Sequence, residues 1–281
     1  MKILKFGGTS VGSPTNMRAV AGLINDADRK IVVLSAMSGT TNHLVQISAA
    51  LYKHNVEEAL TLIENLHTTY RQVVNNLYTT DKKKHEALDL ILSHFDFVKS
   101  LTNSQFSIHE ERAILAQGEL LSTALFQFYL EEIGRESILL PALNFMRIDE
   151  NEEPDNKYIQ KALNETLAQY PNNDLFITQG YICRNAFGDI DNLKRGGSDY
   201  SASLIGAAVK ASEIQIWTDI SGMHNNDPRI VKDTYPIAEL SFDEAAELAY
   251  FGAKILHPSS VLPAKEKNIP VKLLNTMEPE A

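Results

Sequence analysis

A recurrence of short apolar runs constrains this chain more than any other feature: "KILKF", "KIVVLSA", "ESILLPA", "DLFITQGYI", "EIQIWTD" and "IPVKLLN", with helical patterns filling most of the gaps. Parallel strands need crossover connections and are buried on both faces, so such runs alternating with helices predict an α/β fold, a mostly parallel sheet covered by helices. The first helix is punctuated by Ser13 as N-cap and Pro14 in the first turn, with Met17, Val20, Ala21 and Ile24 on one face. Another opens at Ser241, where Glu244 completes a capping box, and is expected to end near Gly252. From about residue 43 to 133 the rhythm breaks, because long helical patterns follow one another without a strand; this predicts a helical insertion on the sheet.

The 281 residues, 44% hydrophobic and 22% charged, suit one large domain or two lobes sharing a sheet. A net charge of −10 argues against nucleic acid or an anionic membrane as partner, so any phosphate chemistry must be local to one cleft. Cys183 is the single cysteine, which excludes an internal disulfide and a cysteine zinc site. No apolar run is long enough to cross a bilayer and the N-terminus enters a strand directly, so the expected location is the cytoplasm. The closing "NTMEPEA" follows a strand without a further helix, the pattern of a piece of a longer chain.

Ligands of open parallel sheets gather outside the carboxyl ends of the strands. Here those ends read "KFGGTS", "LSAMSGTTN", "TQGYI" and "WTDISG", rich in glycine and small hydroxyl residues. Gly7, Gly8 and Gly39 would let backbone N–H groups approach an anion. Lys5 precedes its glycines, outside any G-x-x-x-x-G-K-[ST] loop, so it would meet a phosphate from the strand itself. In "LKRGGSDYSASLIGAA" a helix starting near Ser198 would turn its positive end to the cleft, with Arg195 beside it to grip a carboxylate or phosphate. Asp199 would repel a phosphate, and its expected task is to hold an ammonium group such as that of Lys5 or Lys254. Glu119, just after Gly118 in "QGELLSTALF", sits on an amphipathic helix, where a glutamate is ordinarily solvated. No Ser-His-Asp arrangement, H-E-x-x-H or EF-hand loop is present.

Taken in order, "KFGGTSV", "VVLSAMSGTTN", "QGELLST", "ITQGYI", "RGGSDYSA", "WTDISG", "DPR" and "FGAKILHP" resemble the aspartate kinases of the amino acid kinase family, from Lys2 to about Asn275. The resemblance implies a three-layer α/β/α sandwich. An N-terminal lobe (1–197) would bind aspartate and a C-terminal lobe (198–281) would bind ATP. It implies transfer of the ATP γ-phosphoryl group to the side-chain carboxylate of L-aspartate, giving 4-phospho-L-aspartate, the first step toward lysine, threonine and methionine. Mg²⁺ would accompany ATP without a protein metal site, and the assembly would be a homodimer. On that resemblance Lys5, Gly8, Asp199 and Lys254 carry catalysis, with Gly7, Gly8 and Gly39 as backbone donors around the phosphoryl group. Thr41, Glu119, Tyr181, Arg195, Gly196, Ser198 and Asp199 face aspartate, Arg195 on its α-carboxylate and Glu119 near its α-ammonium. Lys5, Gly7, Gly8, Ser10, Thr218, Asp219, His224, Arg229 and Lys254 face the nucleotide.

Three positions depart from the family pattern: Lys194 stands where relatives have glycine, Asp189 and Asp191 replace threonines, and His224 replaces an aromatic ring beside the nucleotide. The rivals are an amino acid kinase acting on a glutamate derivative or carbamate, and a non-catalytic amino acid sensor. Glu119 separates the kinases, since a free α-ammonium needs an anionic partner and an acylated amine does not.

Overall fold

The computed structural model describes residues 1–281 other than 104, 194–196, 227–229, 252–255 and 280–281. The central sheet is built from β1 (Lys2–Phe6), β2 (Lys30–Leu34), β3 (Ile138–Leu140) and β4 (Leu175–Gln179), joined by two strands from further along the chain. Between these groups lies a small hairpin of β5 (Ile182–Arg184) and β6 (Ile190–Asn192). β7 (Glu213–Thr218) returns to the sheet, β8 (Met223–His224) and β9 (Pro236–Ile237) pair with each other, and β10 (Val271–Asn275) closes the sheet. The order is β10-β7-β1-β2-β4-β3, and every pair is parallel. β1 is where the order reverses, with β2 on one side and β7 on the other, so the crevice beyond its carboxyl end is the natural ligand position.

The two sides of the sheet bury alternate residues. Leu4, Phe6, Val32, Leu34, Ile177 and Trp217 belong to the core under α1 (Pro14–Leu23) and four further helices. Those four are α2 (Thr40–Tyr52), α3 (Val56–Leu77), α4 (Asp81–Ser100) and α5 (Ile108–Glu132), the predicted helical insertion. Ile3, Ile31, Val33, Phe176, Ile214 and Ile216 belong to the opposite core, beneath α6 (Asn156–Ala168) and α7 (Gly197–Val209). All residues of β2 and β4 are buried, which is why these strands read as continuous apolar runs rather than alternating ones. Even Lys30 is buried at the head of β2, its ammonium donating to the carbonyls of Ile24 and Asp26 at 3.2 Å each. No described helix is long and apolar enough to cross a membrane.

Two predicted runs are divided differently. "ESILLPA" contributes only three residues to the sheet, because β3 is an edge strand stopped by Pro141, which has no N–H to pair. "DLFITQGYI" breaks at Gly180 into β4 and β5. A side chain at Gly180 would stand 2.4 Å from Cβ of Ser198, so glycine is what lets the start of α7 touch the end of β4. The remaining helices are α8 (Phe242–Tyr250), capped by Ser241 and Glu244 as predicted, and α9 (Leu262–Glu266). Gly252, the expected end of α8, lies outside the described residues.

Candidate active site

Period-two alternation in β1 puts Lys5 on the same face as Ile3, toward α7. Its Nζ lies 2.7 Å from Oδ1 of Asp199 in the first turn of that helix. The side chains are 11% and 21% exposed, so solvent screens this pair less than a surface ion pair. Asp199 also lies in the first turn of the helix, where the dipole's positive end favours a negative charge. Of the two ammonium groups named for Asp199, that of Lys5 is the one it contacts among the described residues. Lys254, the other candidate, lies outside the described residues, as do Arg195, Gly196, Arg229 and the family departure Lys194.

The loops after β1 and β2 behave as one unit. Ser35 N–H donates to Phe6 O at 3.2 Å, and Ser38 N–H donates to Gly8 O at 3.1 Å. A Cβ at Gly8 would fall 2.9 Å from the carbonyl oxygen of Ala36, so only glycine permits this approach of two backbones. The three glycines expected as anion donors differ in use. Gly7 N–H donates to Trp217 O at 3.2 Å, continuing the pairing of β1 with β7, and is therefore committed to the sheet. The N–H groups of Gly8 and Gly39 have no acceptor among the described residues.

These loops wall a cleft of about 380 Å³ together with Thr41, Glu119, Tyr181, Gly197 and Ser198, a volume suited to a small metabolite. Asp199 follows the lining residue Ser198 in the chain, and Lys5 is joined to Asp199 by their ion pair. Glu119 is the unusual member. It sits in the middle of α5, because the helix runs unbroken through Gly118, and it is only 4% exposed. A Cβ at Gly118 would lie 2.8 Å from the Ala36 side chain, so glycine brings α5 against the β2 loop and delivers Glu119 to the cleft. Oε1 of Glu119 accepts the Ala36 N–H at 3.2 Å; Oε2 is buried with no hydrogen-bond partner among the described residues. Burial pushes its carboxyl up to about 8, partly countered by the Ala36 N–H. A buried carboxylate with one oxygen unmet is costly until a cation or donor arrives.

Tyr181 occupies the left-handed region at φ 65°, with its N–H on Ser201 Oγ at 2.8 Å. Burial first, then the neighbouring Glu119, pushes its phenol up to about 12. Ser198 Oγ accepts from Ser35 Oγ at 2.9 Å, tying α7 to the β2 loop. Ser35 and Ser201 escaped the sequence reading; their signal was the density of small hydroxyl residues in "LSAMSGTTN" and "SDYSAS".

The model of the amino acid kinase family matches residues 1–275. The chain belongs to the amino acid kinase family. Among curated relatives, lysine-sensitive aspartokinase 3 of Escherichia coli is 34% identical over 99% of this chain and 62% of its own length. The chloroplastic aspartokinase 1 of Arabidopsis thaliana is 35% identical over 99% of this chain and 50% of its own. A solved structure of E. coli aspartokinase III in complex with aspartate and ADP aligns with a TM-score of 0.89 at 33% identity, covering 99% of this chain and 62% of that one. The chain thus spans between half and two thirds of the length of these relatives.

In this amino acid kinase Thr218, one of the positions expected to face a nucleotide, lies at the end of β7, the strand beside β1. Phe6 pairs in register with Trp217, which puts Thr218 beside Gly7. Thr218 donates its hydroxyl to Oδ1 of the exposed Asp219 at 3.0 Å. Ser10 is fully buried and shares a 2.6 Å hydrogen bond with Thr276, so its hydroxyl anchors the glycine loop to the end of β10 rather than facing open space. His224 is also engaged, with its ring nitrogens 3.0 Å from Thr234 Oγ1 and 3.2 Å from Ser221 O. Of the two acidic departures, Asp191 is 2% exposed and ion-paired with Arg112 of α5, while Asp189 is exposed. Among the described residues no three His, Cys, Asp or Glu gather as a metal-holding group.

Proposed function

We propose that this chain is the catalytic unit of an aspartate kinase, which moves the terminal phosphoryl group of ATP to the side-chain carboxylate of L-aspartate and works in the cytoplasm. The observation that carries this reading is the unmet, buried Oε2 of Glu119 in a cleft with room for an amino acid. An α-ammonium placed there would supply the missing cation, and the acidic group would be held ionised by the substrate it binds. The names of the curated relatives, and the aspartate and ADP held by the solved one, support the same substrates.

The chemistry needs little covalent help from the protein. A carboxylate oxygen is an adequate nucleophile near neutral pH, so no general base is required; the obstacle is repulsion between two anions. Lys5, pre-aimed by Asp199, would stabilise the charge that develops on the transferring group, and the free N–H groups of Gly8 and Gly39 would add donors. Arg195 is assigned to the α-carboxylate and Arg229 and Lys254 to the nucleotide, on the family resemblance. A donor set without a carboxylate cage fits magnesium that arrives on phosphate oxygens, where it neutralises their charge. Aspartate would thus lie on the β2 side of Lys5 and ATP on the β7 side.

Hydroxylamine trapping tests the proposal. With MgATP and L-aspartate the chain should form an aspartyl hydroxamate in step with ADP release. Absence of hydroxamate from aspartate, with ADP release driven instead by an acylated glutamate or by carbamate, would replace this reading with another kinase of the family.

A further inference from the structure

α3, which lines no part of the cleft itself, reaches its wall through the hydroxyl group of Tyr70. Tyr70, in α3, is fully buried, and its hydroxyl shares a 3.0 Å hydrogen bond with Oγ1 of Thr40. Thr40 is the first residue of α2 and lies between Gly39 and Thr41, both of which line the cleft. The Thr40 methyl group meets α5 near Gly118, since a Cβ at that glycine would be 3.4 Å from Thr40 Cγ2. Thr40 is therefore wedged between α3 and α5. Thr41, about 100° further round the helix, is exposed to the cleft.

The way α2 begins gives this contact its meaning. α1, α3, α4 and α5 each start with a side chain that accepts a first-turn N–H: Ser13, Asn55, Thr80 and Ser107. α2 starts from Gly39 at φ 81° and has no side-chain cap. The N–H groups of Thr41 and Asn42 have no acceptor among the described residues, which leaves them open to a ligand at the cost of an uncapped first turn. Tyr70 is itself immobilised, its ring edge-on to Phe95 at 5.7 Å, with Phe95 stacked on His67 at 4.7 Å. Burial raises the phenol's pKa, so its hydroxyl keeps its proton across the working pH range.

We propose that Tyr70 is a positioning residue: its hydrogen bond to Thr40 anchors the uncapped first turn of α2 from the side and holds it, with Thr41 and the free N–H groups, in register with the substrate. This inference rests on the cleft being the aspartate site. It gives α3 a part in substrate binding, although Tyr70 itself touches no substrate.

Tyr70→Phe, Thr40→Val and the double variant test it in the whole chain, since both changes preserve shape and remove one hydroxyl. The KM for aspartate should rise about three- to tenfold in each single variant, with kcat held within about twofold, as expected for the loss of one buried hydrogen bond. The double variant should be no worse than the more affected single one, because both remove the same interaction. Hydrogen exchange at the Thr40 and His43 amides should accelerate while the rest of the chain exchanges as in the parent. Unchanged KM, multiplying effects in the double variant, or exchange that speeds up evenly throughout would overturn the inference. If the parent forms no hydroxamate from aspartate, the proposed activity fails, and local exchange at α2 still decides whether Tyr70 holds that turn.

Discussion

Asp199 and Glu119 reach the carboxyl edge of the sheet from opposite layers, and the protein treats their charges differently. Asp199, on α7, meets Lys5 at 2.7 Å, so its counter-ion is built in. Glu119, on α5, receives one N–H from Ala36 and is left with a buried oxygen unmet. The first arrangement fixes a cation in advance of the reaction; the second leaves a place that only a ligand can complete. Under the proposed reaction, a site organised in this way would be pre-set for the charge that develops during phosphoryl transfer and selective for the charge that the substrate carries throughout.

Breaking the incomplete side should have the largest effect. Glu119→Gln keeps the size and the Ala36 contact but removes the charge, and kcat/KM for aspartate should fall by roughly 10²–10³ or more, as when one partner of a buried ion pair is lost. Steady-state kinetics measures this, and ATP affinity should hardly change. Breaking the completed side comes next: Lys5→Met should lower kcat by roughly 10²–10³ with a smaller change in the KM for aspartate, because its contact strengthens in the transition state. If ATP binding weakened while kcat stayed the same, Lys5 would be a ground-state ligand. Asp199→Asn retains Lys5 but loosens its aim, and should cost about tenfold to a hundredfold in kcat, the range for one hydrogen bond to a charged group.

The smallest effect is on stability and sharpens the contrast without substrate. Glu119 is held protonated in the empty folded protein up to about pH 8, whereas in the unfolded chain it ionises near its ordinary value of 4.5. The folded state therefore binds more protons between these values, so this group's stabilising contribution is complete below about 4.5 and is lost as pH rises through about 8. Urea midpoints recorded across that window should decline less steeply for Glu119→Gln than for the parent. Aspartate should flatten the decline as well, because its ammonium favours the ionised carboxylate.

The same contrast explains what could be read from the sequence. The sheet was legible because burial on both faces leaves continuous apolar runs such as Ile31–Leu34, and the helices because Ser13 and Ser241 cap them in recognisable patterns. The pairing of Asp199 with Lys5 was one of two readings the sequence offered, because an acid in the first turn of a helix also serves the dipole and only the fold of β1 against α7 brings the two side chains to 2.7 Å. Glu119 was not legible from local pattern: a glutamate in a helix is ordinarily solvated, and its burial depends on Gly118 letting α5 rest on Ala36, 82 positions away from that glycine. Only the ordered resemblance singled it out. The engagement of Gly7 with Trp217 and of Ser10 with Thr276 could not be foreseen either, because strand neighbours distant in sequence decide which polar groups remain free.

Succinate, which is aspartate without its α-amino group, offers the most direct test of the claim that the substrate completes Glu119. kcat/KM should be measured for aspartate and succinate with the parent and with Glu119→Gln. The account predicts that succinate is a poor substrate of the parent and loses little further in the variant, while aspartate falls to a similar low level. Equal losses for both substrates would contradict it, and would make Glu119 a support for α5 and the β2 loop rather than the partner of an ammonium group.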